Sequence, residues 1–177
     1  MKKLLLTVAV LAGLTSFSAK ISGPKHGLEA GAGVDIVNPT LHVTYYPEWK
    51  ADINKNFDIT FGPKISAIGE VLVGAGGAPK GGAFLVTAGI GADFNVALPN
   101  TTNKFYVGLE TGGGLGYIKA TKTEKTENSE TTTTVHGVTY IPIGKIALGG
   151  KFSNGFKVAG YTGYGKGIVG LEVGYTF

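Results

Sequence analysis

Residues 167–177 read GIVGLEVGYTF. Every second residue back from the end is apolar or aromatic: Phe177, Tyr175, Val173, Leu171, Val169. The alternate set, Thr176, Gly174, Glu172 and Gly170, is small or polar until Ile168. Successive side chains of a strand point to opposite faces, so this stretch is a strand with one apolar face and one polar face. An exposed terminal Phe gains little in water; at a membrane interface it is an anchor.

The same alternation recurs upstream. Leu28, Ala30, Ala32, Val34 and Ile36 alternate with Glu29, Gly31, Gly33 and Asp35. Asn38-Pro39 reads as a turn. Leu41, Val43 and Tyr45 then stand opposite His42, Thr44 and Tyr46, followed by a polar connection over 50–56. A third strand runs from Phe57, with Pro63 expected at a bulge or bend and a phase slip expected near Ile68-Gly69. The fourth is the longest clear case, Phe84 to Leu98 by twos. A fifth spans Phe105 to Tyr117, a sixth about Val135 to Gly150, a seventh about Phe156 to Gly163. In the sixth, Tyr140, Pro142, Ile146 and Leu148 define one face, while Ile141 and Ile143 break the alternation and leave its facing open. The stretch 119–134, rich in Thr, Lys and Glu, reads as a solvated loop. This gives eight strands; ten would require cutting the alternating segments shorter.

The first residues, MKKLLLTVAVLAGLTSFSAK, carry two Lys, a short apolar core from Leu4 to Leu14 and a small-residue exit. That is the form of a secretory signal peptide, and its core is well short of the ~20 residues a spanning helix needs. Cleavage after Ser18 or Ala19 fits, so residues 1–19 are expected to be removed and 20–177 to form one barrel domain. The mature charge is then the whole-chain +4 less Lys2 and Lys3, or +2, weak grounds for nucleic-acid binding. There is no Cys, so no disulfide, and no Arg, so no bidentate guanidinium recognition.

Which face is apolar decides between a soluble and a membrane barrel. The polar set holds Gly31, Gly33, Gly89, Gly91, Gly112, Gly114, Gly116, Gly170 and Gly174. A solvated outer face has no use for such rows of Gly. A narrow lumen filled by side chains does, because small residues leave room for a few long charged ones. The bulky set carries aromatics toward segment ends, as lipid contact requires. The expected fold is therefore all-β: a single antiparallel up-and-down transmembrane β-barrel.

On these residues the chain resembles the small eight-stranded outer-membrane barrels of Gram-negative bacteria, the OmpA/OmpX-like class. The resemblance implies an outer-membrane location, contact with outer-membrane lipids and lipopolysaccharide, and a monomer. It also implies that Leu171, Val173, Tyr175 and Phe177 form the signal read by the barrel assembly machinery. Family roles include anchors, surface-interaction proteins, porin-like narrow pores and a few lipid A-modifying enzymes. The first reading for this chain is a structural or surface-interaction protein with a filled lumen and without enzymatic activity; the alternative is a narrow pore.

The inward set supplies a candidate charge network of Glu29, Asp35, Asp58, Lys64, Asp93, Glu110, Lys157 and Glu172, which Lys145 joins if strand six faces inward there. Unpaired buried charge is very costly, so these groups are expected to pair. His26, His42 and His136 have no metal-ligand spacing, and no cofactor or metal is expected. Ser66, His136 and Glu70 make a nucleophile set only on paper. The Gly-rich stretch 74–82 lacks the ending of a phosphate loop. Tyr45, Tyr46 and Trp49 read as an interfacial girdle, and 119–134 as a surface for a cell-surface ligand.

Overall fold

The computed structural model describes residues 20–74, 78–126 and 129–177; the expected signal peptide lies outside them. Eight strands follow in order: β1 (Lys20–Asp35), β2 (Asn38–Asn54), β3 (Phe57–Val73), β4 (Lys80–Ala97), β5 (Lys104–Thr126), β6 (Ser129–Lys151), β7 (Phe156–Tyr164) and β8 (Val169–Thr176). Each pairs antiparallel with the next, and β8 returns to β1, closing the barrel. Closure is completed by paired backbone bonds between His26 and Phe177, at 3.0 and 2.8 Å. Closing the ring removes the free edges an open sheet would present.

The outside of this barrel is apolar. Leu41, Leu115 and Leu171 are 67%, 63% and 70% exposed, whereas Glu29, Lys64, Glu110, Lys145, Lys157 and Glu172 are all buried. A water-soluble barrel has the reverse arrangement; this one is built to stand in hydrocarbon, with each strand paired to a neighbour on both sides around the ring. The rim bearing the termini is dressed with aromatic pairs: His26 with Tyr45 and Phe177, Tyr175 with Phe177, and Phe152 with Phe156.

Several expectations need correction. The first turn is Ile36-Val37, and Asn38 pairs with Asp35 to start β2. Ile36 takes a left-handed φ of 56°, a conformation that β-branched residues rarely adopt, so its residue type does not signal the turn. Lys20–His26 is part of β1, with a bulge between Ser22 and Lys25, and β2 continues through the supposed polar connection to Asn54. β3 has no phase slip: its register with β4 is unbroken from Phe57↔Val96 to Val73↔Lys80. Ile68 looked out of phase only because an apolar residue was assumed to point outward; it points inward, 1% exposed. Pro63 makes no bulge against β4. On the other side the β2 ladder is interrupted between Tyr45↔Ile65 and Trp49↔Phe61, a register that sets Pro47 opposite Pro63.

The largest correction concerns 119–134. Its described residues, 119–126 and 129–134, are not a loop but the outer part of a long hairpin, with β5 and β6 paired continuously from Lys104↔Lys151 to Thr126↔Ser129. Thr is β-branched and favours strands, which outweighs the low complexity that suggested a loop. The cross-strand pairs Thr121–Thr134 and Thr123–Thr132 bring hydroxyls within 3.2 and 3.4 Å. β4 reaches only Thr121 and β7 only Gly144, so the hairpin stands beyond its neighbours at the rim away from the termini. In β6, Tyr140, Pro142, Ile146 and Leu148 face outward, while Ile143, Lys145 and Ala147 are buried inside.

Candidate functional site: the lumen network

Alternation brings Glu29 of β1, Lys64 of β3, Glu110 of β5, Lys145 of β6, Lys157 of β7 and Glu172 of β8 into one interior. The hub is Lys145, whose Nζ lies 3.1 Å from Glu29 Oε1, 3.2 Å from Glu110 Oε2 and 2.5 Å from Glu172 Oε2. Glu29 Oε2 also meets Lys157 Nζ at 2.7 Å and Lys64 Nζ at 3.7 Å. Lys64 reaches Glu110 Oε2 at 3.4 Å. Each charge has at least one opposite partner on another strand, and Glu29, Glu110 and Lys145 have three each, which offsets the cost of burying them.

The tyrosines and glycines around the hub make this possible. Lys157 and Lys64 lie over the Tyr46 ring at 4.4 and 5.4 Å, and Lys145 lies 5.3 Å from the centre of Tyr161. Such stacking adds a favourable cation–ring attraction. A Cβ on Gly174 would come 2.6 Å from Lys157 Cε, and one on Gly91 would come 2.7 Å from Lys64 Cε. Cβ atoms on Gly31 and Gly170 would collide with the His42 and Tyr161 rings. These glycines are vacated space for the long side chains opposite.

Toward the terminal rim, Asp93 pairs with Lys151 at 2.8 Å, and Lys151 also meets Thr60 Oγ1 at 2.8 Å. Asp58 pairs with Lys104 and accepts from Asn95 Nδ2 at 2.8 Å. This end opens into a polar vestibule of about 760 Å³ lined by Lys25, Glu48, Asp58, Lys104 and Lys151 among others. Toward the far rim the lumen is apolar instead. Ile68, Ala83, Leu85 and Ile143 form a buried cluster, joined by Ile118 and Ile141. The residues that seemed to spoil the β6 alternation are therefore a hydrophobic filling.

Of the eight candidate network residues, seven are drawn inside and paired. Asp35 is not: it sits half-exposed at the end of β1, away from the hub, because the chain turns at Ile36. The sequence reading missed four partners. Lys104 and Lys151 are strand-end residues that read as solvated. His42 lies 4.0 and 3.9 Å from Glu29 and Glu172, with neither ring nitrogen hydrogen-bonded. Lys166 sits in the β7–β8 turn between Gly165 and Gly167, whose φ values are 86° and 109°. The turn folds inward: Lys166 Nζ meets Glu110 Oε1 at 2.6 Å and Thr44 Oγ1 at 3.1 Å. Its carbonyl accepts from Thr40 and Tyr161 at 2.8 and 2.7 Å. A Gly-Lys-Gly turn reads as solvent-exposed; its two glycines, free to take positive φ, are the one hint of the inward fold.

Glu29, His42 and Glu172 have the donor set of a metal site. The Lys145 ammonium already stands against both carboxylates, so the chain supplies its own cation there. Ser66 is buried inside and bonded to Thr44 at 2.8 Å, whereas His136 is exposed on β6, so the paper nucleophile set is not assembled. Tyr45, Tyr46 and Trp49 are not one girdle: Tyr45 faces out, Tyr46 is buried under two lysines, and Trp49 is half-buried on the outer wall. Leu171, Val173, Tyr175 and Phe177 all face outward, the last 62% exposed.

The fold and interior define a closed eight-stranded barrel, apolar outside and ion-paired inside. No protein-family model matches the chain, and no curated protein matches it. Among solved structures it is similar to the N-terminal β-barrel domain of Pseudomonas aeruginosa OprF, at 17% identity, over 87% of this chain and 98% of that one, with a TM-score of 0.33. It is also similar to Ail, the attachment invasion locus protein of Yersinia pestis, at 13% identity, over 90% and 97% of the two chains, with a TM-score of 0.39. For the outer membrane protein Ail in a phospholipid bilayer nanodisc the figures are 15%, 88% and 100%, and 0.36.

Proposed function

We propose that this chain is an outer-membrane barrel with a structural or surface-interaction role and a lumen closed by its own side chains. The observation that carries the reading is Lys145, whose ammonium ties β6 to β1, β5 and β8 across the interior within 3.2 Å of each carboxylate. The apolar cluster of Ile68, Leu85 and Ile143 adds a second barrier, unfavourable to ions, on the far side of that network. The vestibule at the terminal rim is then a blind entrance. The projecting β5–β6 hairpin is the surface offered to a cell-surface ligand, on the side away from the termini. The outward row Leu171, Val173, Tyr175 and Phe177 is the assembly signal, lipids and lipopolysaccharide cover the wall, and the barrel is monomeric.

The test is conductance of the purified protein in planar bilayers. The expected result is no steady opening; steady unitary currents would overturn the closed lumen and favour a narrow pore. A heat-dependent gel shift of protein extracted from the membrane fraction tests the location. Recovery from the periplasm without detergent would overturn it. Unchanged lipid A masses with and without expression are expected for a barrel without lipid A-modifying activity.

A further inference from the structure

β6 runs far past its neighbour on one side. β7 pairs with it only from Gly144 to Lys151, so among the described residues no strand pairs with that edge of β6 from Ser129 to Ile143. At about 3.4 Å per residue this is about 50 Å of strand with the backbone groups of that side unpaired. The β7–β8 turn covers only the foot of the edge, where a Cβ on Gly165 would lie 2.7 Å from the Pro142 carbonyl oxygen. Beyond the foot every residue from Thr131 to Tyr140 is exposed. Val135, on the inward phase, is 65% exposed and Val138, on the outward phase, 70%, so neither face is covered. Open edges are normally blunted by Lys, Pro, a bulge or an inward charge that stops another strand from adding. Residues 131–141, TTTTVHGVTYI, hold no Lys, Asp, Glu or Pro, and their register with β5 is unbroken. All but His136 and Gly137 are β-branched or aromatic, the types that favour strands.

We propose that this edge pairs, antiparallel, with the same edge of a second copy of the chain standing in a facing membrane. The proposal rests on the outer-membrane reading above, with the hairpin on the outer side, and it names the ligand of that hairpin. A strand edge is satisfied by the repeating N–H and C=O groups of another strand, which a glycan or a lipid does not offer, so the occupant is a polypeptide strand. That strand must itself be open, extended and free of clashing charge over the same length, and the chain supplies one. A two-fold axis normal to the sheet at Thr134 sets Thr133 opposite Val135, Thr132 opposite His136 and Thr131 opposite Gly137. Each residue then meets one on its own face, with no like-charge pair. β7 and β8 have only 9 and 8 residues, so the space beside the edge, beyond their turn, is open to an incoming strand. Direction fixes the placement. Copies in one membrane run β6 the same way; only copies in facing membranes bring these edges together antiparallel. An isologous pair closes at two copies, so each barrel stays a monomer within its own membrane.

The test uses the intact protein in phospholipid vesicles. Wild-type vesicles are expected to cluster, read as turbidity and as co-localisation of two vesicle dyes. Thr134→Lys and Thr134→Glu each set like charges opposite one another at the axis, and each is expected to cut clustering at least fivefold. Mixing the two variant populations is expected to restore it. Thr123→Lys puts the same charge on β5, away from the edge, and is expected to cluster as wild type. The chain has no Cys, so Thr134→Cys supplies a single thiol. Mild oxidation is expected to give a disulfide-linked dimer in clustered vesicles, with at least fivefold less for Thr123→Cys. Dispersed wild-type vesicles, clustering unchanged in Thr134→Lys, mixed Thr134→Lys and Thr134→Glu vesicles that stay apart, or equal cross-linking in Thr123→Cys would each overturn the pairing. A Thr134→Cys dimer formed within single, unclustered vesicles would overturn the facing-membrane arrangement. A protein that still shows the heat-dependent gel shift but does not cluster vesicles sinks this pairing only; loss of the shift sinks the membrane reading itself.

Discussion

Replacing Lys145 with Met is the most searching test of the interior. Met keeps the length and removes the charge. The side chains of Lys145 and Glu172 are 3% and 2% exposed, so solvent screening does not soften the loss. Three carboxylates lose the ammonium, but not equally. Glu29 keeps Lys157 at 2.7 Å, and Glu110 keeps Lys166 at 2.6 Å. Among the described residues Glu172 keeps no lysine at ion-pair distance and is left beside His42 at 3.9 Å. Breaking a buried pair by removing one partner costs about 3–5 kcal/mol. With one carboxylate stranded rather than three, we expect the lower end, ~3 kcal/mol. Lys145→Met combined with Glu172→Gln removes the stranded charge and is expected to recover about 2 kcal/mol of that, a coupling within the range for contacting residues. Urea unfolding in phospholipid vesicles, followed by Trp49 fluorescence, measures both. A Lys145→Met protein within ~0.5 kcal/mol of wild type, or a double mutant equal to the sum of its singles, would refute the hub.

Leu85→Ala opens a void in the apolar filling and is expected to cost about 2–4 kcal/mol in the same assay. Thr132→Pro removes a donor and cannot extend the hairpin ladder. It should make Lys119 and Lys122 newly sensitive to trypsin in intact vesicles while leaving barrel stability within ~0.5 kcal/mol, since β6 at that point lies beyond β7. Tyr140 lies over Gly113 on the outer face, where a Cβ on Gly113 would strike its ring. Tyr140→Ala uncovers that backbone and is expected to cost about 1 kcal/mol, the scale of a cross-strand pair. A neutral result in urea would show the contact to be incidental.

Architecture was legible because a barrel's grammar is periodic. Strand number and order follow from alternation, and the outward facing of Leu171, Val173 and Tyr175 from the rows of Gly on the opposite face. What alternation hides is any residue whose chemistry disagrees with its face. Ile68 and Ile143 are apolar yet inward, so they read as a slip or a spoiled pattern when they are a filling. The Thr run reads as a loop by its low complexity, although branching at Cβ favours the strand it forms. The network was half visible: residues in mid-strand, such as Glu29 and Glu172, announce their face. Lys166 reaches the same carboxylates from a turn, and no period reaches into a turn. His42 was on the inward phase, but spacing along the chain cannot show that Glu172 of β8 comes beside it, because β8 reaches β1 only when the barrel closes.

A sealed ring of strands should have no preferred place to come apart. The opposed prolines on β2 and β3 supply one. Pro47 and Pro63 each lack an amide hydrogen, and the ladder lapses between Tyr45↔Ile65 and Trp49↔Phe61. Lys64 and Tyr46 sit on the inner side of that same lapse, one over the other. The cylinder thus has a seam. Its mechanical weakness is borne by ion pairs and ring contacts inside rather than by the sheet, so the interior charges act as stitching as well as stopper.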